Sequence, residues 1–507
     1  MSGVFNTDKR IRLGIWGLGR GQSFIQAANF LNIDVVAGCD IYGPMREQFL
    51  RNVPGAYCTD NEDDFLAYDM DAVLIATFLP DHSKHIIKAL ESGKHVMCEV
   101  TPFRTPAEGV RVVEAVEKSG KVFNLLENYP FSKDNMFLRK LWQDGFFGDF
   151  MYGEFEYLHE GRTLTYSYPN GNPMEPGYIV HNWRSSLNYH YYCTHSLGPA
   201  MIITGTRPVS VSAMFCDVTI PGYLEGARIA TACPSTIKMD NGGLVRNMPG
   251  STTNDYHTGM RIWGTRASAE KLHDGLRIRI GGGGGGPILQ MKTQWPELAE
   301  WADKAGHGGG DFWELYYFAR EVLTGEPAPW SIYPACDVTL PGILAIRSEN
   351  LGGIPIQIPD FRDKKQREAF RNDNGDVKAF DPTKIFPEGH DTAITSDFSK
   401  TMIQLYPMNQ YGGLYLLNRV MDGIKIYPHI ADSAGKIAIQ DAARKLVADL
   451  PEIAKTMETA LKIKNAYPDS MPGKTIARII DFYDIDAILN YENTIQRLNR
   501  WLTTLVF

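Results

Sequence analysis

The sequence predicts an α/β protein: an N-terminal doubly wound parallel sheet, a second α+β domain with a large open mixed or antiparallel sheet, and a helical C-terminal extension. Three observations carry this. From Ile11 to about Leu126, short apolar runs alternate with helix-length amphipathic segments, the pattern of parallel βαβ units. After Asn128 the strand-like runs lengthen and mix with aromatic and glycine-rich loops. Far along the chain, Lys436–Ala466 and Thr475–Val506 have helical periodicity. The 507 residues exceed what one hydrophobic core supports, so the bounds are drawn at 1–127, 128–362 and 363–507.

In chain order, the predicted strands of the first domain are Ile11–Trp16, Ile33–Cys39, Ala72–Ala76, His95–Glu99 and Val122–Leu126. Helices are predicted near Gln22–Leu31, Asp81–Ser92 and Pro106–Ser119, the last two stopped by Gly93 and Gly120. In the second domain Met151–Tyr157, Val209–Cys216 and Arg261–Trp263 read as strands, and the glycine run Gly281–Gly286 as a loop with too little side-chain substance to pack. The charge-rich stretch Asp363–Asp376 reads as a linker.

Composition narrows the function. A net charge of −8 with dispersed Lys and Arg lacks the basic surface that phosphate binding requires, so no nucleic-acid partner is expected. The first residues lack a signal-peptide core, and no apolar stretch approaches the roughly 20 residues needed to span a bilayer. Seven scattered cysteines without a Cys-x-x-Cys pair read as reduced thiols, so a cytoplasmic location is expected. No His-Glu-x-x-His or similar ligand spacing occurs, and no metal is expected.

The segment Gly14-Ile-Trp-Gly17-Leu-Gly19-Arg20-Gly21-Gln22 follows the first strand and opens the first helix. Glycines there permit a tight turn and let a pyrophosphate approach backbone N–H groups at a helix start. The spacing departs from Gly-x-Gly-x-x-Gly, since Gln22 occupies the last position. Asp40, 21 residues after Gly19, ends the second strand, where a carboxylate accepts from ribose hydroxyls and repels a 2′-phosphate. Together these indicate a Rossmann domain binding NAD, with Gly17, Gly19, Arg20, Gly21 and Asp40 at the cofactor.

Three further stretches extend the pattern: Ala72-Val-Leu-Ile-Ala-Thr-Phe-Leu-Pro-Asp81-His82 with Ala89 to Glu99, then Glu127-Asn128-Tyr129, then Gly308-Gly-Gly-Asp-Phe312 running on to Gly352–Pro359. With these, residues 10–362 resemble the Gfo/Idh/MocA oxidoreductases. The resemblance implies that Asp81 and His82 line the nicotinamide side, that Glu99 reaches the nicotinamide ribose and that Val100 and Asn128 lie close by at the cofactor. Family members carry Glu-Lys-Pro where this chain reads Glu99-Val100-Thr101-Pro102, so the lysine that polarises the reacting hydroxyl is missing. Their Asp-x-x-x-His pair appears as Tyr191 to His195, without the aspartate. Glu99-Val100, Tyr157, Asn182-Trp-Arg184 and Tyr192-Cys-Thr-His195 are similar to motifs of the NAD-dependent glycosidases typified by α-N-acetylgalactosaminidases. That likeness implies Tyr157, Arg184 and Tyr191 at a carbohydrate substrate, with His195 and Tyr192 catalytic; His307, just before Gly308, is a further candidate to touch substrate, with a helix-entry loop as the competing reading.

Chemically, oxidising a secondary alcohol needs a base for the hydroxyl proton and a donor for the developing carbonyl. An imidazole, with an ordinary pKa of about 6.5, suits the first task; Tyr192 shares a helical face with position 195. The expected activity is NAD-dependent oxidation of a sugar or glycoside hydroxyl, at C3. One alternative is a glycosidase working by oxidation, elimination, hydration and reduction. Another, from a different class, is a non-catalytic NAD- or sugar-sensing regulator. For His195 the competing reading is a packed, hydrogen-bonded histidine; for Tyr192, beside Tyr189 and Tyr191, it is simple aromatic packing. The resemblance also implies a homo-oligomer.

Overall fold

A computed structural model describes residues 4–166, 184, 187–252, 259–272, 275–281, 285–375, 385–407 and 413–504. Gly282–Gly284 of the glycine run, Asn182 and Trp183 lie outside the described residues. Two compact units emerge, neither continuous in sequence. The first comprises Met1–His159, Asn188–Val218 and Thr231–Lys378; the second comprises Glu160–Leu187, Thr219–Ala230 and Ala379–Phe507.

The first unit opens with a parallel sheet of β1 (Ile11–Trp16), β2 (Ile33–Cys39), β3 (Tyr57–Thr59), β4 (Ala72–Ile75), β5 (His95–Glu99) and β6 (Phe123–Leu126). Its order, β3-β2-β1-β4-β5-β6, is that of a doubly wound Rossmann sheet, with the switch point between β1 and β4. Leu13, Ile15, Val73, Leu74, Val96 and Met97 are completely buried, because helices cover both faces and each strand is an apolar run rather than an alternation. The helix Pro106–Ser119 follows from its ends: Thr105 accepts from the Glu108 N–H, Pro106 pre-sets the first turn, and Gly120 at φ +62° stops it.

The helix predicted over Gln22–Leu31 is instead a 3-10 turn, Arg20–Phe24, and one α turn, Ile25–Ala28. Gly19 brings no capping side chain, and Asn32 at φ +43° soon turns the chain into β2. Two helices, Gly43–Asn52 and Glu62–Ala67, and the three-residue β3 are additional to the predicted set.

The second sheet of this unit contains β7 (Phe150–Leu158), β8 (Pro208–Ala213), β9 (Ser235–Met239), β10 (Leu244–Gly250), β11 (Met260–Gly264), β12 (Ala267–Leu272), β13 (Gly275–Ile280), β14 (Ile288–Gln290) and β15 (Ile356–Gln357). The order is β14-β13-β12-β11-β7-β10-β9-β8-β15, antiparallel throughout except at β7–β10. Along β7, Phe155 and Tyr157 are buried while Glu154 and Glu156 point the other way, to Arg246 and Arg261. Helices Cys193–Thr204 and Ile332–Asn350 pack against this sheet.

The expected linker at 363–376 is a correction. Asp363 caps a short helix, Lys364–Glu368. Arg367, buried, donates to both Glu117 oxygens (2.8 and 3.0 Å) and to the Phe361 carbonyl. Arg371 pairs with Glu114, and Arg347 holds Asp373 at 2.7 and 2.9 Å. What reads in sequence as solvated charge straps down the helix Pro106–Ser119.

In the second unit, Thr392–Leu405, Gly413–Ile426, Met471–Phe482, Ile485–Leu489 and Tyr491–Thr504 gather along the helix Ser433–Ala466. The buried Arg162 guanidinium lies 4.4 and 4.2 Å from the ring centres of Tyr406 and Tyr415, and its Nε is 2.6 Å from Glu160. No described helix is long and apolar enough to cross a membrane.

Candidate active site

The carboxyl ends of parallel strands, where a doubly wound sheet receives its ligand, carry most of the candidate residues. After β1, Gly17 has φ +94°, and a Cβ there would stand 2.4 Å from the Ala76 carbonyl oxygen at the end of β4. Glycine alone lets this turn pass so close to its neighbour. A Cβ on Gly21 would meet Ile15 at 2.5 Å. After β2, Asp40 accepts from the N–H groups of Leu18 (2.7 Å) and Tyr42 (2.8 Å), so its carboxylate fastens the glycine turn. Burial pushes its pKa up, and the two backbone donors oppose that.

Arg20 ties three elements together. Its Nε lies 2.9 Å from Glu99 at the end of β5, and its two terminal nitrogens donate to Asp311 at 3.0 and 2.7 Å. Asp311, fully buried at the start of the helix Gly310–Thr324, also receives His307 Nδ1 at 3.0 Å. Burial alone would raise the Asp311 pKa, but the His307 and Arg20 hydrogen bonds hold it at about 2. Glu314, three residues on and buried, is driven well above the ordinary carboxyl range by desolvation and by the charges of Asp311 and Glu99.

His82 is buried with Nδ1 2.9 Å from the Thr101 carbonyl and Nε2 3.1 Å from that of Thr77. A neutral ring donates to one of these at a time, and burial lowers its pKa. Asp81 is exposed beside it. Val100, at the position where the resemblance implies a lysine, is half-buried. After β6, Asn128 Oδ1 is buried and has no hydrogen-bond partner among the described residues. An orphaned buried acceptor at this strand end, together with the close-packed glycine turn, fits a bound dinucleotide.

Facing these strand ends, the 3-10 turn Tyr189–Tyr192 leads into the helix Cys193–Thr204, whose first turn carries His195. His195 Nδ1 lies 2.8 and 2.9 Å from the two oxygens of Glu127, a completely buried carboxylate that directly follows β6. With Nδ1–H donating to Glu127, Nε2 presents its lone pair. Aromatic rings surround the imidazole: Tyr157 from β7 at 4.4 Å, Tyr129 at 4.7 Å and Tyr192 at 5.5 Å.

His195, Tyr192 and Tyr157 are therefore brought together. His307 joins Arg20 and Glu99 through Asp311. Tyr191 is buried, and its hydroxyl donates to the Arg104 carbonyl (3.0 Å). Arg184 belongs to the second unit, where it is half-buried. Glu127, Tyr129 and Asp311 went unselected among the candidate residues. The available signal was position: an acidic residue at the end of the last parallel strand of a doubly wound sheet.

Residues 11–126 match the Gfo/Idh/MocA oxidoreductase family, NAD-binding Rossmann fold. The chain is 26% identical over 407 residues to a glycosyl hydrolase family 109 protein of Saccharopolyspora erythraea, covering 71% of this chain and 85% of that one. It is 26% identical over 422 residues to an α-N-acetylgalactosaminidase of Tannerella forsythia, covering 70% and 87%. Among solved structures, a levoglucosan dehydrogenase in complex with NADH and L-sorbose superposes with a TM-score of 0.58 at 16% identity, covering 70% of this chain and all of that one. A myo-inositol 2-dehydrogenase of Lactobacillus plantarum gives 0.51 at 16%, covering 69% of this chain and all of that one. At such identities these structures establish the fold. Residues 11–126 thus form an NAD-binding Rossmann domain similar to that of the Gfo/Idh/MocA oxidoreductases, and NAD is the cofactor.

Proposed function

We propose that this protein oxidises a secondary hydroxyl, at C3, of a sugar or glycoside. The observation that carries the proposal is the buried Glu127–His195 pair set among three tyrosines at the carboxyl edge of the nucleotide-binding sheet. NAD, when bound, supplies the hydride acceptor. Gly17, Gly19 and Gly21 would let its pyrophosphate approach the backbone, with Arg20 beside it; Asp40 would reach its adenosine ribose and Glu99 its nicotinamide ribose, Asn128 would lie close by, and Asp81 and His82 would border the ring. His195 Nε2 takes the hydroxyl proton while Glu127 keeps the ring in the required tautomer and stabilises the cation that forms. Tyr192, in place of the missing lysine, donates to the oxygen as it becomes a carbonyl. Tyr157 supplies an aromatic wall for the sugar.

A second reading is favoured by the family 109 relatives, of which the chain covers 85% and 87% in the two cases above. A C3 ketone acidifies the C2 proton, so a base eliminates the anomeric group; water then adds and hydride returns, giving hydrolysis without net redox change. One experiment separates the two. A panel of glycosides is incubated with the NAD-loaded protein while nicotinamide absorbance and aglycone release are followed together. NADH rising in step with substrate consumed supports the dehydrogenase; aglycone released with catalytic NAD supports the glycosidase. Turnover of no glycoside by protein carrying NAD would overturn both and leave the sensing regulator.

A further inference from the structure

His190, Cys233 and Glu349 lie 43 and 116 positions apart in the sequence. The fold brings one ligand-capable atom of each to within 4.8 Å of the others. His190 comes from the turn Tyr189–Tyr192, Cys233 from the stretch entering β9, and Glu349 from the last turn of the helix Ile332–Asn350. His190 and Cys233 are completely enclosed and Glu349 nearly so. His190 Nε2 is 2.9 Å from Glu349 Oε1. Asn188 adds to the cluster, donating to Glu349 Oε2 at 3.0 Å and holding its Oδ1 3.2 Å from Cys233 Sγ.

An imidazole, a thiol and a carboxylate converging from three elements form a donor set suited to zinc. With bonds of roughly 2.0–2.3 Å, tetrahedral ligand atoms stand roughly 3.3–3.7 Å apart. The His190–Glu349 pair, at 2.9 Å, is tighter than this and would open around an ion, while all the ligand-capable atoms lie within 4.8 Å of one another. Charge balance points the same way: one thiolate and one carboxylate neutralise a divalent cation, leaving a buried centre with no net charge. His190 Nε2, 2.9 Å from Glu349 Oε1, is the nitrogen turned toward the cluster.

We propose that the protein binds a structural Zn2+ through His190, Cys233 and Glu349, with Asn188 Oδ1 as the fourth ligand. The ion pins the turn carrying Tyr192 to the helix Ile332–Asn350. The two are already in close contact, since a Cβ on Gly342 would stand 2.0 Å from the His190 carbonyl oxygen. The sequence offered no metal motif because the ligands share neither a helix nor a loop.

The test uses the full chain purified without chelator. Zinc is measured by mass spectrometry, removed, and replaced by titration with Co2+. Near-stoichiometric zinc and a thiolate-to-cobalt charge-transfer absorption are expected, the absorption lost in Cys233→Ser and kept in Cys216→Ser. Zn2+ should raise the melting temperature of the stripped parent and leave that of Cys233→Ser unchanged. Zinc at background level with no cobalt–thiolate absorption in the parent overturns the proposal, and that measurement needs no variant to fold. Absorption persisting in Cys233→Ser overturns it equally.

Discussion

Replacing Glu127 with glutamine keeps the length and shape of the side chain and removes its charge. In the parent, both carboxylate oxygens lie within 2.9 Å of His195 Nδ1 with no solvent on the carboxylate. As the imidazole accepts the hydroxyl proton it becomes a cation, which the carboxylate stabilises and the amide does not. Unit charges about 4 Å apart attract by about 4 kcal/mol at an effective dielectric of about 20. The lower bound is the advantage of a charge-assisted over a neutral hydrogen bond, about 1–1.5 kcal/mol. The variant should therefore lose roughly 10- to 1000-fold in kcat, each tenfold being about 1.4 kcal/mol. KM should change little, since the interaction strengthens only as charge develops. The assay is steady-state turnover of a glycoside identified by the panel above, with NAD content and melting temperature measured on the same preparation. Parent-like kcat in a folded, NAD-loaded Glu127→Gln protein would refute the assignment of His195 as a base supported by Glu127.

Asp311 has a pKa of about 2 in the folded protein against an ordinary 3.8, so its contribution to stability is present above pH 3.8 and lost as pH falls toward 2. That gap is worth about 2 kcal/mol; urea unfolding across this range should show a shallower acid decline in Asp311→Asn, and parallel declines would sink the argument. Gly17→Ala places a methyl 2.4 Å from the Ala76 oxygen at a positive φ. Strain of about 1–3 kcal/mol and weakened NAD binding are expected by calorimetric titration, and parent-like affinity would show that the turn tolerates a side chain. Arg367→Ala removes the buried guanidinium's hydrogen bonds to Glu117 and to the Phe361 carbonyl and should cost about 1–3 kcal/mol, read as a lowered denaturant midpoint; an unchanged midpoint would mean that the strap contributes nothing. Met151, Leu244, Ile280 and Ile288 are exposed apolar residues on strands of the second sheet. A homo-oligomer is predicted from these, and a monomer mass by light scattering at micromolar concentration would rule it out.

Local signals sufficed wherever the physics was local. The bounds of β1, β2, β5 and the helix Pro106–Ser119 follow from apolar runs, a Thr-x-x-Glu cap and a terminating glycine. The short elements Tyr57–Thr59 and Glu62–Ala67 hold too few residues to display a period. Long-range pairings were illegible for another reason. Glu127 and His195 are 68 residues apart, and Arg367 and Glu117 are 250 apart. No periodicity links such residues, so a charge destined for a buried partner looks the same as one destined for water. That is why Asp363–Asp376 reads as a linker and why the role of Glu127 was not seen. Tyr191 shows the converse: it sits within the most informative motif, yet its hydroxyl serves a main-chain carbonyl.

The acid–imidazole pair draws on both sheets of its unit. Glu127 follows the last strand of the parallel sheet, while His195 arrives on a helix laid against the other sheet. A fragment ending at the nucleotide-binding half would thus carry the carboxylate without its imidazole partner. The nucleotide-binding sheet supplies the carboxylate and a helix on the other sheet supplies the imidazole, so the pair forms only when both halves of the unit fold together.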